Sequence, residues 1–315
     1  MILALAGGVG GAKLANGLAR ILDPEGLVIA VNTGDDFRHL GLHISPDLDT
    51  VMYNLAGLNN PETGWGLADE TWNVMSALRR IGGPDWFNLG DKDLATHLER
   101  TRRLSAGESL SAITAVLCKR FGISQRITPM CDEMVMTLVR LNDKWIPFQE
   151  YFVALKCEPK VSEFRFYGVE LAEPSLELRS AFESKSLHGI VICPSNPFVS
   201  VDPILAVPGV RSLLEERKVP VVAVSPIVGG QALKGPASKM MVELGLDPSP
   251  AGVARHYGSI LDGMIIDTVD LSFASKIDAL GIRIEVTNTV MKGANDQEAL
   301  ARVALDFIEN IRAGK

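Results

Sequence analysis

The sequence predicts an α/β fold, a Rossmann-like, doubly wound and mainly parallel sheet with an inserted helical and β-hairpin subdomain. Short runs of continuous apolar residues recur along the chain, and such runs are typical of strands buried on both faces of a parallel sheet. Helical patterns, with apolar residues three and four positions apart, lie between these runs. This alternation is that of a doubly wound sheet, whose ligand sites lie at the carboxyl ends of the strands.

The elements of the sheet are predicted in chain order. The first strand covers residues 2–6 and leads through a glycine-rich turn into a helix, and the second strand covers residues 27–31. Later apolar runs predict further strands at residues 189–193, 219–224, 263–267 and 282–286. A closing helix is expected from about residue 296 to residue 312 because its apolar residues have helical spacing.

The middle of the chain has a different pattern. Residues of about 93–126 have helical spacing, and residues of about 134–168, including a run from Trp145 to Leu155, alternate in the manner of β-hairpins. We therefore predict a nucleotide-binding core formed by residues 1–92 and 187–315. Residues 93–186 are predicted to be the inserted subdomain.

Composition and charge exclude some classes of partner. The chain has 315 residues, of which 47% are hydrophobic and 22% charged, the balance of a globular protein of one large or two ordinary domains. Its net charge is −7, and it has no block of basic residues. Neither nucleic acid nor an anionic membrane surface would be attracted to it, so the expected partners are small molecules.

The sequence indicates a cytoplasmic protein. Its four cysteines are scattered, so neither a disulfide framework nor a zinc site is predicted. The apolar N-terminus lacks a basic leader and is interrupted by glycines, which argues against a signal peptide. No apolar run approaches the ~20 residues that span a bilayer. On base rates alone, the expected assembly is a homodimer.

The first candidate site is a glycine-rich turn at residues 7–13 (GGVGGAK). Gly8, Gly10 and Gly11 let backbone N–H groups approach phosphate oxygens, and the helix that follows adds a favourable dipole. Lys13 would add a positive charge. The pattern is neither a Walker A motif nor a clean G-x-G-x-x-G, and a tight strand-to-helix turn without a ligand also requires glycine.

A second candidate site follows the second strand, at residues 32–36 (NTGDD). In a dinucleotide-binding protein, an acid here holds a ribose. The adjacent Asp35 and Asp36 are more than a ribose needs, and they suit Mg²⁺, which takes one or two carboxylates plus substrate phosphates. A solvated turn has a similar composition. The neighbouring Asn32 is a further polar group at this strand end.

A third acidic segment, at residues 45–50 (SPDLDT), opens a predicted helix. Asp47 can be the N-cap of that helix, and Asp49 then lies in its first turn, where carboxylates are favoured. Because capping explains only one of the two aspartates, Asp35 and Asp49 together form a candidate pair of metal ligands.

Two further loops carry polar side chains. Asp91 and Lys92 stand at a loop-to-helix junction, followed by Thr96 and by His97, for which a capped or core histidine is the alternative. After the strand at residues 189–193, Ser195 and Asn196 offer short hydrogen-bonding groups of the kind that contact a base or a phosphate. Residues 225–230, after the next strand, form another strand-end loop with room for a ligand.

Taken together, these loops resemble those of the 2-phospho-L-lactate transferases, also called phosphoenolpyruvate transferases, of coenzyme F-420 biosynthesis. The resemblance covers nearly the whole chain. The segments that carry it are residues 7–13, 32–36, 45–50, 64–66, 89–97, 194–197 and 225–227. Lys92 stands where many members carry arginine. Cys131 and Met136 replace serines that are often found there, while Asp132 and Thr137 remain.

The resemblance implies a Mg²⁺-dependent transfer of a phosphorylated three-carbon acid, which is 2-phospholactyl, enolpyruvyl-phosphate or phosphoglyceryl. The donor is linked to guanosine diphosphate, the acceptor is the ribityl hydroxyl of the deazaflavin Fo, and GMP is released. Asp35, Asp47 and Asp49 are the expected catalytic residues, with Asp35 and Asp49 as metal ligands. Metal-ligand and base roles are not separable at this point.

The resemblance also divides the other candidate residues between two substrates. The residues expected to bind the donor and its phosphates are Gly8, Gly10, Gly11, Lys13, Asn32, Ser195 and Asn196. The residues expected to bind the acceptor are Asp49, Asp91, Lys92, Thr96 and His97. Trp65, Trp72 and Trp86 are candidates for an aromatic wall against the deazaflavin, with core packing as the alternative.

Two other functions compete with this one. A nicotinamide-dependent, NAD(P)-linked oxidoreductase would use the glycine turn and Asp35, but Lys13 and the clustered acids argue against it. A non-enzymatic nucleotide-sugar-binding regulator, related to gluconeogenesis factors, would share the glycine turn and a similar acidic turn. Those relatives have a glycine- and serine-rich run after the paired acids, whereas residues 37–40 here are FRHL.

Overall fold

The continuous hydrophobic runs at residues 2–6, 27–31, 189–192, 221–224 and 263–267 form fully buried strands. A computed structural model describes residues 1–233 and 235–314. Its strands are β1 (Ile2–Ala6), β2 (Leu27–Val31), β3 (Phe37–His39), β4 (Leu42–Ile44), β5 (Arg126–Pro129), β6 (Met136–Leu141), β7 (Lys144–Pro147), β8 (Glu163–Tyr167), β9 (Gly189–Ile192), β10 (Val221–Val224), β11 (Ile227–Val228), β12 (Gln231–Ala232), β13 (Gly263–Asp267) and β14 (Arg283–Thr287).

The helices lie between these strands, as the apolar spacing predicts. They are α1 (Gly8–Ile21), α2 (Pro46–Leu55), α3 (Asn73–Arg80), α4 (Asp91–Ser105), α5 (Leu110–Arg120), α6 (Leu176–Glu183), α7 (Asp202–Ala206), α8 (Val210–Glu215), α9 (Ala237–Glu243), α10 (Pro250–Tyr257), α11 (Ala274–Asp278) and α12 (Ala294–Arg312). Among the described helices, none has the length and apolar character needed to cross a membrane.

Seven strands form one parallel sheet in the order β14-β13-β10-β9-β1-β2-β5. Neighbouring strands pair in parallel register, with Ile2 of β1 opposite Leu27 of β2 and opposite Gly189 of β9. Alternate residues of β1 belong to different cores: Leu3 and Leu5 pack on one face of the sheet, and Ile2 packs on the other. Helices cover both faces, which confirms the predicted Rossmann-like α/β fold.

The strand order reverses at β1. The chain runs outward from β1 through β2 to β5, then returns to the other side of β1 with β9 and continues outward to β14. In doubly wound sheets, ligands bind in the crevice at such a reversal, outside the carboxyl ends of the strands. The fold therefore directs attention to the turns that follow β1 and β9.

The predicted insertion, residues 93–186, contributes to two sheets. Its strand β5 pairs with β2 at the edge of the seven-stranded sheet, whereas β6, β7 and β8 form a separate antiparallel sheet. The division of the chain into a core and an insertion stays a prediction.

One predicted element differs from the structure. The run from Trp145 to Leu155 is not a continuous strand, since β7 ends at Pro147 and a π-helical turn occupies Glu150–Ala154. Proline lacks the N–H that would continue the ladder, and Tyr151 of the turn is fully buried. Burial of this aromatic ring therefore replaces strand pairing.

Candidate active site

The turns after β1 and β9 are in direct contact. The Ser195 hydroxyl donates to the carbonyl oxygen of Gly7 at 2.8 Å and accepts from the Gly7 N–H at 3.1 Å. A Cβ atom on Gly10 would lie 2.3 Å from the carbonyl oxygen of Pro194, and one on Gly11 would lie 2.4 Å from Ser195 Oγ. Close approach of the two turns is thus a sufficient reason for glycine at both positions. The donor-binding roles predicted for these residues stay predictions.

Replacing Gly10 by alanine is expected to destabilise the protein, because the new methyl group overlaps a backbone carbonyl that cannot rotate away. Overpacking of this kind costs about 1–3 kcal/mol. Gly26→Ala is the matched control, since its nearest neighbour would be Leu22 Cβ at 3.9 Å, an ordinary contact. Urea denaturation measures both, and equal midpoints for the two variants would contradict the packing role of Gly10.

Asp47 lies at the N-terminus of α1, where the sequence predicts a phosphate. Its Oδ2 accepts from Asn32 Nδ2 at 2.9 Å, and it also hydrogen-bonds to the Gly8 backbone and the Ser200 side chain. The sequence suggests that Asp47 is the N-cap of α2, but the structure places another residue there. Ser45 occupies that position and Pro46 is the first helical residue, which places Asp47 one residue further along, with its side chain turned toward α1.

Three carboxylates come together beside this helix end. Asp35, Asp36 and Asp47 are each at least 93% buried, and burial together with the charge of Asp47 raises the pKa of Asp35 well above its usual range. Burial also raises the pKa of Asp47 to about 6, against hydrogen bonds from Asn32 and Gly8 that lower it. Ionising three neighbouring buried carboxyl groups is costly unless a cation is present.

Among the described residues, only one of the two carboxylate oxygens of Asp36 has hydrogen-bond partners. Its Oδ2 accepts from Ser45 Oγ at 2.7 Å and lies 2.9 Å from His43 Nε2. Its Oδ1, like Oδ1 of Asp35, is buried and has no hydrogen-bond partner among the described residues. Oriented carboxylates with free, buried oxygens form a hard-oxygen donor set, which fits Mg²⁺.

Asp49 belongs to a second cluster. Both of its oxygens accept from the guanidinium of Arg100, which is 1% exposed and also lies 3.2 Å from His97 Nδ1. Burial lowers the pKa of Arg100, but the charge and hydrogen bonds of Asp49 outweigh this, so the pKa is raised and the guanidinium stays charged. Tyr53 donates to Asp93 at 2.7 Å and closes the cluster.

The structure therefore divides the predicted metal pair. Asp35 has Asp47 and Asp36 as its charged neighbours, whereas Asp49 faces Arg100. Ligand atoms of Asp49, Asp93 and His97 do lie within 4.8 Å of one another, a spacing that a metal ion could bridge. The guanidinium of Arg100 already supplies positive charge there, whereas Asp35 and Asp36 each keep a buried oxygen without a partner among the described residues. The assignment of metal ligands stays a prediction.

Asp91 and Lys92, predicted to bind the acceptor, make structural contacts. Asp91 accepts from the backbone N–H groups of Asn73 at 3.0 Å and Val74 at 3.1 Å, so it caps α3 from another helix. Lys92 Nζ donates to the Ala68 carbonyl at 3.1 Å. A hydrogen bond from the Thr71 hydroxyl is the main reason that the pKa of Asp91 is lowered to about 2. The acceptor roles of both residues stay predictions.

Asp91→Asn is expected to lower the melting temperature by a few degrees, because the amide is a weaker acceptor for the α3 N–H groups. The carboxylate has a lower pKa in the folded state than in the unfolded state. Its stabilisation is therefore present above about pH 3.9 and is lost as the pH falls toward 2. Thermal melts between pH 7 and pH 3 should show that the difference in melting temperature between the parent and Asp91→Asn becomes smaller at the acid end. Asp85→Asn, in an exposed loop, is the control.

Other predicted residues are held by their surroundings. Lys13 Nζ donates to the carbonyl of Met291 at 2.8 Å, and Asn196 Oδ1 accepts from the N–H of Phe198 at 3.0 Å. Thr96 is buried beside the Tyr53 hydroxyl. The three tryptophans of the predicted aromatic wall have different surroundings. Trp86 packs on Phe37 and His39, whereas Trp65 and Trp72 are exposed.

Arg100 and His43 are the site residues that sequence reasoning missed. Arg100 follows His97 by three positions and Asp93 by seven, so helical spacing alone places all three on one face of α4. His43 has no such signal, since its contact with Asp36 depends on the β3–β4 hairpin.

Comparisons with known proteins identify the family of this chain. Residues 2–303 match the family model described as 2-phospho-L-lactate transferase CofD. The phosphoenolpyruvate transferase of Streptomyces griseus is 44% identical, and that of Streptomyces coelicolor is 41% identical, each over 99% of both chains. The phosphoenolpyruvate transferase of Mycobacterium bovis is 38% identical over 97% of this chain and 98% of its own.

Solved structures support the fold alone. Two crystal structures of a UPF0052-family protein from Bacillus halodurans superpose with TM-scores of 0.62 and 0.63 and cover 96% of this chain and 98% of theirs. Their sequence identity is 15% and 16%, too low to carry function. The family model and the full-length relatives do carry it: the chain belongs to the 2-phospho-L-lactate transferase family of coenzyme F-420 biosynthesis and is an enzyme of the transferase class.

Proposed function

We propose that this enzyme transfers a phosphorylated three-carbon acid from a guanosine diphosphate-linked donor to the ribityl hydroxyl of Fo, with release of GMP. Several relatives are named phosphoenolpyruvate transferases, which makes the enolpyruvyl donor the first to test. The lactyl and glyceryl donors differ from it by a double bond or a hydroxymethyl group.

The observation that carries the proposal is the group of three buried carboxylates at the strand-order reversal. Asp35, Asp36 and Asp47 lie where a doubly wound sheet binds its ligand, and two of their oxygens have no partner in the described chain. A diphosphate-linked donor is itself anionic, so it would be repelled from this place without a cation. We propose that these three residues hold Mg²⁺, which would neutralise charge on the donor's phosphates when bound.

The bond changes of the proposed reaction are simple. The ribityl oxygen of Fo forms a bond to the phosphorus that carries the three-carbon acid, and the bond from that phosphorus to the bridging oxygen breaks. GMP leaves with the bridging oxygen, and the hydroxyl proton passes to a base. Catalysis of such a transfer depends mainly on positioning and on electrostatic stabilisation.

The chain supplies that positioning through its strand-end turns. Asn32 donates from Nδ2 both to Asp47 Oδ2 at 2.9 Å and to the Val199 carbonyl at 3.0 Å, which fixes the carboxylate beside the α1 N-terminus. The dipole of α1 favours negative charge at this end, which suits the phosphates of the donor. Ser195 holds the glycine turn in place through its two hydrogen bonds to Gly7.

The proposed acceptor side is the interface of α2 and α4, where Asp49, Thr96 and His97 lie. Arg100 holds both oxygens of Asp49, so this carboxylate keeps its orientation when the site is free of substrate. A ribityl hydroxyl that donates to such a fixed acceptor would gain about 1.5–3 kcal/mol, as is usual for a hydrogen bond to a charged group.

The test is a product assay. Purified protein is incubated with Fo, Mg²⁺ and the enolpyruvyl donor, and chromatography follows GMP and a phosphodiester-linked deazaflavin, with an EDTA-treated reaction alongside. Both products are expected only when all three components are present. A regulator would bind nucleotide without consuming it, and an oxidoreductase would change nicotinamide absorbance without needing Fo. Full turnover in excess EDTA would contradict the metal site.

A further inference from the structure

The separate sheet of β6, β7 and β8 reaches the acidic turn through one residue, Thr137 on β6. The Thr137 N–H donates to the carbonyl of Gly34 at 2.6 Å, so β6 is attached to the residue that precedes Asp35. Thr137 Oγ lies 2.9 Å from the point where a Cβ on Gly34 would be. A side chain at residue 34 would therefore push the hydroxyl away from the turn.

The Thr137 hydroxyl faces a small cavity that it shares with two of the carboxylates. It is a narrow, partly open cleft that has no room for a water molecule. Asp35, Asp36 and Thr137 line one part of it, and apolar side chains, including Phe37 and Phe148, line another. Water therefore cannot satisfy a polar atom that points into this space.

Three oxygen atoms around the cavity lack a hydrogen-bond partner in the described part of the chain. They are Oδ1 of Asp35, Oδ1 of Asp36 and Oγ of Thr137, and the threonine is 1% exposed. Buried polar atoms are nearly always satisfied, so three orphans at one place call for a shared partner. Two carboxylate oxygens and a hydroxyl oxygen can all be satisfied at once by a cation at about 2.0–2.1 Å from each, a distance shorter than any water contact.

We infer that Thr137 supplies a hydroxyl oxygen ligand to the divalent cation that Asp35 and Asp36 bind. The inference rests on the proposed function, because it takes the cation from there, and it adds a ligand from outside the seven-stranded sheet. Ser45 and His43 hold the far oxygen of Asp36, so the free oxygen is presented to the cavity.

Cation binding without substrates tests this ligand directly. Calorimetric titration with Mg²⁺, repeated with Mn²⁺, is compared for the parent, Thr137→Val and Thr137→Ser. Valine keeps the shape and removes the oxygen, whereas serine keeps the oxygen. We expect Thr137→Val to weaken the cation Kd by about ten- to a hundredfold and Thr137→Ser to stay within a fewfold of the parent.

Thr114→Val is the matched control, because Thr114 is equally buried but its hydroxyl donates to the Leu110 carbonyl within α5. It should leave the cation Kd unchanged. Circular dichroism and thermal melts without metal show that each variant is folded. An unchanged Kd in folded Thr137→Val would overturn the inference and leave the proposed function intact. A parent protein that binds neither cation would overturn both.

Discussion

Asp35→Asn is expected to abolish transfer and, at the same time, to raise the melting temperature of the metal-free protein. Burial and the charge of Asp47 raise the pKa of Asp35, so ionisation of this carboxyl group costs more free energy in the folded state than in the unfolded state. The neutral amide removes that cost. It also removes a metal ligand, so we expect activity to fall by at least about 10²–10³-fold, as for the loss of one electrostatic contact in an active site.

Two further measurements separate this explanation from a simple packing effect. Added Mg²⁺ should raise the melting temperature of the parent but not that of Asp35→Asn. The stability gap between the metal-free proteins should shrink as the pH falls from the raised pKa toward the ordinary carboxyl value, because ionisation of the carboxyl group then no longer favours the unfolded state of the parent. Asp306→Asn, exposed on α12, is the control and should leave every value unchanged. A destabilised, fully active Asp35→Asn would refute the carboxylate cluster as the cation site.

Arg100→Met is expected to give the largest loss of stability, about 3–5 kcal/mol, because it leaves the buried carboxylate of Asp49 without its partner. Arg102→Met is the matched control on the same helix, since Arg102 is exposed and pairs with Glu99 at the surface. Its stability should change little. Urea denaturation at pH 7 measures both.

A double variant distinguishes a lost ion pair from lost packing. Adding Asp49→Asn to Arg100→Met removes the uncompensated charge, so it should restore part of the lost stability. If the double variant is no more stable than Arg100→Met, packing of the long side chain, rather than its charge, dominates the contribution of Arg100. We also expect Arg100→Met to bind Fo more weakly, because Asp49 loses the partner that orients it. Measuring Fo binding therefore tests whether Arg100 holds Asp49 in place for the acceptor.

Much of the sheet was readable in the sequence because parallel strands buried on both faces are continuous apolar runs. The predicted bounds of β1 and β2, residues 2–6 and 27–31, are those of the structure. The strand β5 was missed, since it has four residues and includes a threonine and a proline. Its place in the sheet depends on pairing with β2, which local pattern does not reveal.

The sequence by itself determined which chemistry is present: acids, glycines and short polar groups at the ends of buried strands, in segments that resemble one enzyme family. Only the tertiary structure decided how those groups are partnered. In the sequence, Asp35 follows a predicted strand and Asp49 lies in the first turn of a predicted helix; in the structure, Asp35 faces other carboxylates while Asp49 faces Arg100. The physical reason is that a carboxylate's pKa and its capacity to bind a cation depend on burial and on neighbours distant in the chain, which spacing along the sequence does not encode.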